Sequence, residues 1–145
     1  MQNLLRLCDR PDGNENNLRV SAMSAAAALV SASAMDSQSI FPEILPYNIG
    51  RTRMALNVNV VSQENLDSRE QVVGSFCGLF QTLYQRMGRI DVMPHTQDVM
   101  KMLVQALQLR NASSHEEAIL SIGAEAANIK EDFVVRSVAF CVCVY

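Results

Sequence analysis

The sequence predicts an all-α chain of antiparallel helix pairs stacked side by side. Three observations lead there. The 145 residues are 49% apolar but only 6% aromatic, with no tryptophan. Alanine, leucine, valine and methionine therefore supply the core, and such side chains suit closely packed helices. Apolar residues recur at spacings of three and four along several stretches, the repeat of one helix face. Helix-start signals recur near Asn17, Ser68 and Ser114, 51 and 46 residues apart, close to the about 40–47 residues of a two-helix repeat with some loops lengthened.

Residues 1 to 8 read as the last turns of a helix, with Leu4, Leu5 and Leu7 flanking Arg6. A loop over 9 to 16 follows, in which Pro11 fixes φ and Gly13 admits positive φ. Asn16 or Asn17 is expected to cap the next helix, which runs to about Ala34 with Leu18, Ala22, Ala25, Leu29 and Ala32 on one face. Its block of four alanines has the highest helix propensity available and lets a neighbouring helix come close. Residues 37 to 62 are expected to form a broken or kinked helix. Ile40, Phe41, Ile44, Leu45, Ile49 and Leu56 are suitably spaced and Pro42 fits a first turn. Pro46 removes a donor, Gly50 adds backbone freedom, and residues 57–61 alternate like a strand.

Ser68 with Gln71 has the form of a capping box. The helix it opens carries Val72, Phe76, Leu79, Phe80, Leu83 and Met87 on one face, and Gly88 is expected to end it. After Pro94, a helix over about 95–109 sets an apolar seam of Val99, Leu103, Ala106 and Leu107 against a polar stripe of Asp98, Lys101, Gln105 and Gln108. Ser114 with Glu117 makes a second capping box, followed by a helix to about Asn128 marked by Ala118, Ile119, Ile122 and Ala126. Residues 133 to 145 are apolar on every side and rich in strand formers.

The spacing fits two organisations equally, an irregular helical bundle or one fragment, 1–145, of a HEAT-type superhelix. In the second, repeats fall at about 17–62 and 68–109, with half repeats at 1–8 and 114–145. A unit of this kind cannot bury its apolar face alone, so both ends are expected to be naked and the chain reads as a piece of a longer protein.

The net charge of −3 and pI near 5.3 argue against nucleic acid as a partner, because phosphate binding needs clustered Lys and Arg. They permit a basic peptide. No apolar run approaches the ~20 residues of a membrane span. Arg6, Asp9 and Arg10 interrupt the apolar core that a signal peptide would need. Cys8, Cys77, Cys141 and Cys143 form no C-x-x-C pair. The first two read as small buried hydrophobes, which implies reduced thiols and an intracellular setting. His95 and His115 lie in no metal spacing, and no P-loop, G-x-G-x-x-G or G-x-S-x-G occurs. No catalytic group, metal site or cofactor is expected.

Two stretches carry a family resemblance. One is Asp9-Arg10-Pro11-Asp12-Gly13 running into Asn16-Asn17-Leu18-Arg19. The other is Ser114 to Ala124, with Ser75-Phe76-Cys77-Gly78-Leu79-Phe80-Gln81 between them. In this order they resemble central repeats of importin-β, the nuclear import receptor, from about Leu4 to Phe140. The resemblance implies a HEAT superhelix whose outer helices face solvent or nucleoporins. Its inner helices would hold basic cargo or the importin-α adaptor, with Ran binding mainly through N-terminal repeats outside this stretch. It also implies a place in cytoplasm and nucleus, at the nuclear pore and envelope. The polar stripe of Asp98, Lys101, Gln105 and Gln108 sits on the second helix of a pair, the type that lines the inner surface. With Glu43 it forms the expected partner-binding set. The alternative is a truncated HEAT-repeat scaffold that self-associates, through its apolar tail, or binds other proteins without transport activity.

Overall fold

The computed structural model describes residues 16–34, 39–58 and 62–135. Six helices are described: α1 Asn16–Ala32, α2 Phe41–Asn57, α3 Gln63–Arg86, the short α4 Arg89–Val92, α5 Thr96–Ala106 and α6 Ala112–Ile129. The backbone is helical again over 131–135, and the described residues contain no strand. The half repeat expected at 1–8 and most of the apolar tail lie outside the described residues.

The helices form two layers. α1, α3 and α6 make one, with α3 between its two neighbours; α2 and α5 make the other and pack on each other. α2 lies against α3, and α5 against both α6 and α3. At 24 residues α3 is the longest described helix, spanning about 36 Å. It buries all six residues of the seam read from the sequence: Val72, Phe76, Leu79, Phe80, Leu83 and Met87. Around them close Met23 and Val30 from α1, Phe41, Ile44 and Leu45 from α2, and Val99 and Leu103 from α5.

Several local expectations are corrected. α3 starts at Ser62, not Ser68: the Ser62 side chain accepts from the Asn65 N–H at 3.3 Å. α6 is capped by Asn111, whose side chain accepts from the N–H groups of Ser113 (2.9 Å) and Ser114 (3.4 Å). Asn16 and Asn17 already lie within α1. α3 ends at Arg86 with Met87 extended, and Gly88, at φ −70°, uses no left-handed freedom. Instead it precedes α4, a turn that no pattern in the sequence marked.

Of the segment expected to break, residues 41–57 form one continuous helix, and most of the strand-like alternation over 57–61 lies outside the described residues. α2 runs unbroken through Pro46 and Gly50. Pro46 removes one i→i−4 bond, but Pro42, Glu43 and Pro46 all face solvent, where water serves the freed Pro42 carbonyl. The opposite face buries Phe41, Ile44, Leu45, Asn48, Ile49 and Thr52. Asn48 Nδ2 donates to Phe76 O of α3 at 3.1 Å, and Thr52 Oγ1 donates back to Asn48 O at 2.7 Å. Packing on α3 outweighs one missing bond on the wet side.

Two helix faces are also corrected. α1 buries Ala22, Met23, Ala26 and Val30, whereas Ala25, Leu29 and Ala32 of the expected face are exposed. Four consecutive alanines offer no periodic contrast, so the sequence favoured the wrong side. α6 is turned further from expectation. It buries Ser114, Ala118, Ser121, Glu125 and Ile129, while Ile119 and Leu120 face outward, 59% and 44% exposed.

The α3–α6 seam explains that orientation. Ser114 Oγ donates to Glu70 O (2.5 Å), Ser121 Oγ to Cys77 O, and Asn128 Nδ2 to Tyr84 O (2.6 Å) and Met87 O (2.9 Å). The three donors and the first three acceptors each step by seven residues, so the helices run parallel in a register of 44. The close approach needs Gly74: a Cβ there would lie 3.2 Å from Ser114 Oγ and 3.3 Å from its Cα. Tyr84 O belongs to the last turn of α3, where carbonyls lack helical partners. Asn128 therefore caps α3 from the neighbouring helix.

Candidate protein-binding surface

The α2–α5 layer carries the polar residues nominated from the sequence. Asp98 lies in the first turn of α5, Lys101 and Gln105 follow on it, and Gln108 sits just past its end; all four are exposed. Their spacing of three and four keeps them on one stripe about 15 Å long. Behind it, Val99, Leu103 and Ala106 are fully buried, and Met100 and Met102 widen the buried arc. Packing thus fixes the face that α5 presents.

Asp98 does not stand alone in the stripe. Asp98 Oδ2 is paired with Arg53 Nη2 of α2 at 3.2 Å, with both side chains more than half exposed. Arg53 gave no sequence signal as a member of this surface, because the partner helix and its rotation had to be known first. Glu43 is exposed in the first turn of α2, ten residues and so about 15 Å along the helix from Arg53. The structure does not bring Glu43 and Asp98 together. Between them Arg51 lies over the Tyr47 ring, 5.4 Å from its centroid, a cation–π geometry. Arg51, Arg53 and Lys101 against Glu43 and Asp98 make this layer a mixed-charge surface rather than an acidic one.

Two concavities lie among the described residues of the α1–α3–α6 layer. One, about 720 Å³, lies between α3 and α6, where Ile119, Leu120, Ala124 and Ala127 face Tyr84 and Gln85. The Tyr84 hydroxyl is buried without a hydrogen-bond partner, and burial, with Glu125 second, raises its pKa. The other, about 430 Å³, is a polar trough over Gly74 and Gly78 of α3 and is flanked by α1 and by Glu117 of α6. Beneath this layer Cys77 is buried and free. Desolvation, with the Glu117 charge second, pushes its thiol up to about 12.

His115, a possible catalytic or metal ligand by residue type alone, is engaged structurally: its Nε2 donates to Leu109 O at 2.6 Å. Among the described residues no group of three or more His, Cys, Asp or Glu could hold a metal ion, and no helix is long and apolar enough to cross a membrane.

Two layers of helices, with successive helices of one layer, α3 and α6, held parallel in a constant register of 44 residues, define an α-solenoid of helix pairs. The chain belongs to the importin-β family: residues 1–145 match a family model described as "Importin subunit beta-1-like, TPR repeats". The register fits the about 40–47 residues of a HEAT-type pair better than the about 34 of a TPR. Among curated proteins, importin subunit beta-1 of Arabidopsis thaliana is 25% identical over 128 residues, covering 86% of this chain and 15% of that protein. Importin subunit beta-1 of Schizosaccharomyces pombe is 28% identical over 144 residues, covering 94% of this chain and 16% of that protein. The chain therefore spans about one sixth of the length of these relatives. No solved structure matches it.

Proposed function

We propose that this chain is a protein-binding segment of a nuclear import receptor, one that works between cytoplasm and nucleus and holds basic cargo or an importin-α-type adaptor. The family membership supports the receptor reading. The observation that carries the contact surface is the exposed stripe of Asp98, Lys101, Gln105 and Gln108, held rigidly by a buried seam. Its glutamine amides and Asp98 can hydrogen-bond an extended peptide, with Glu43 as a separate anchor one helix away. An apolar groove beside Ile119 and Leu120 on the opposite layer suits an apolar nucleoporin segment. Ran is expected to make at most a partial contact here. The mode is recognition by shape, amide contacts and charge, with no covalent step.

The test is fluorescence anisotropy of a labelled basic importin-α-type peptide across a salt series. Asp98→Lys removes the stripe's carboxylate and adds a charge beside Arg53, so affinity should fall. Arg53→Gln releases Asp98 from its internal partner, so affinity for the same peptide should rise about two- to fivefold at low salt. Unchanged affinity in both variants removes the stripe from the proposal.

A second reading rests on Val134 and Val135, 64% and 70% exposed in the helical stretch after α6. Exposed apolar side chains of this kind suit a scaffold that self-associates. Truncation after residue 132 should then convert oligomers to monomer on size-exclusion chromatography, and oligomers that persist rule this reading out.

A further inference from the structure

The trough over Gly78 holds a partly buried carboxylate of the α1–α3–α6 layer, that of Glu117. Glu117 projects from α6 across α3, and its Oε2 lies 2.8 Å from where a Cβ on residue 78 would stand. Only glycine lets the carboxylate settle against the α3 backbone. Once there it makes no hydrogen bond or ion pair among the described residues, and burial raises its pKa, with the neighbouring Glu116 second. No lining residue carries a positive charge: Gln71, Ser75, Gln81 and Thr82 come from α3, Ser24 from α1 and Ser113 from α6. The α3 hydroxyls are already committed to their own helix, Ser75 Oγ donating to Gln71 O (3.1 Å) and Thr82 Oγ1 to Gly78 O (3.0 Å). What remains open is a half-buried carboxylate, two glutamine amides and about 430 Å³ of space. A partly desolvated anion without a counter-ion is unfavourable until a cation reaches it.

We infer that this trough receives a lysine or arginine side chain from an extended polypeptide partner, with Glu117 as counter-ion and Gln71 and Gln81 as flanking hydrogen-bond groups. The volume accommodates one long basic side chain and the backbone around it. Acids outnumber bases on α1, α3 and α6, so the surrounding field also favours a cation. This site is separate from the α2–α5 stripe and lies on the opposite layer. It goes beyond the proposed function by placing a second basic-segment contact on the layer that the stripe does not reach.

The experiment titrates a fluorescein-labelled short peptide alternating lysine and serine into the full chain, with Glu117→Gln, Glu116→Gln, Gly78→Ala and Asp98→Lys as variants. Glu117→Gln is isosteric and breaks no existing bond; far-UV circular dichroism reports whether each variant is folded. Kd should rise about five- to tenfold in Glu117→Gln, the scale of one partly buried ion pair. Gly78→Ala, whose methyl displaces the carboxylate, should move it the same way. Glu116→Gln removes an equal charge outside the trough and should change Kd less than about twofold. In the wild-type chain, amide shifts on titration should cluster at Gly74, Gly78 and Thr82. Equal effects of the two glutamate variants, no effect of Glu117→Gln, or no binding of the peptide at all overturns the inference. Loss of binding in Asp98→Lys alone assigns the basic contact to the stripe, so the inference falls while the proposed function stands.

Discussion

Cys77 lies fully buried under the α3–α6 seam, and desolvation with a nearby carboxylate pushes its thiol up to about 12. A thiol so far from ionisation is a poor nucleophile. In the native chain, iodoacetamide at neutral pH should leave the Cys77 peptide unlabelled by mass spectrometry, and labelling should appear only on unfolding in guanidinium chloride. Ready native labelling would contradict the buried seam. Burial acts in the same direction on Glu117, a group that ordinarily ionises well below neutral pH. Desolvation first, and Glu116 second, raise its pKa above the ordinary glutamate value of 4.5. The folded chain then holds that proton to higher pH than the unfolded chain does. Stability must therefore fall as pH rises from about 4.5 through the folded value, and the loss persists at neutral pH. Glu117→Gln should remove this decline. Urea midpoints of variant and wild type should diverge in the variant's favour between about pH 4.5 and 7, and parallel midpoints would show that the carboxylate is fully solvated.

Among the helices, α6 departs most from amphipathic expectation. Its inward face is two serines, an alanine, a glutamate and an isoleucine, while Ile119 and Leu120 look out. Sequence patterning assumes that apolar means inside, but a close helix–helix approach favours small side chains that can donate to the neighbour's carbonyls. The period of seven at Ser114, Ser121 and Asn128 was visible in the sequence; its meaning depended on Glu70, Cys77 and Tyr84 lying at the same period one repeat earlier. Asn128 is the costliest member to lose because it serves the end of α3. Asn128→Ala should lower stability by about 1–2 kcal/mol, the scale of two neutral hydrogen bonds, and Asn128→Asp at least as much, since it sets a negative charge against two carbonyls at a helix C-terminus. Urea denaturation followed by circular dichroism reads both. A smaller loss than in Ser121→Ala would mean that the cap contributes little.

In the molecule as a whole, α3 touches α1, α2, α5 and α6, so it links the two layers and both neighbours within its own. Phe80, fully buried in α3, stands in the shared core. Phe80→Ala should cost about 3–5 kcal/mol and lower the unfolding midpoint of every described helix together, as hydrogen exchange would resolve. Loss of protection confined to one helix pair would show that the repeats unfold independently, as stacked units are able to. The same centrality bears on binding. The α2–α5 stripe and the Gly78 trough sit on opposite layers of one core, so a partner gripping both would have to wrap around an edge of the stack.

The sequence by itself determined the all-α class, the seam of α3, the buried side of α5, the inert Cys77 and the family, because each is written locally in periodicity, residue size or a collinear motif. Only the tertiary structure decided which way α1 and α6 face, since an alanine block and a serine-lined seam carry little hydrophobic contrast. It also decided that α2 survives Pro46, because the lost bond falls on the solvent side while the other face is anchored to α3. The candidate surfaces divide the same way. The stripe from Asp98 to Gln108 was legible as one polar face of one helix. Its Arg53 partner, its distance from Glu43 and the Glu117–Gly78 trough were not, because each depends on two helices whose separation in sequence says nothing of their contact in space.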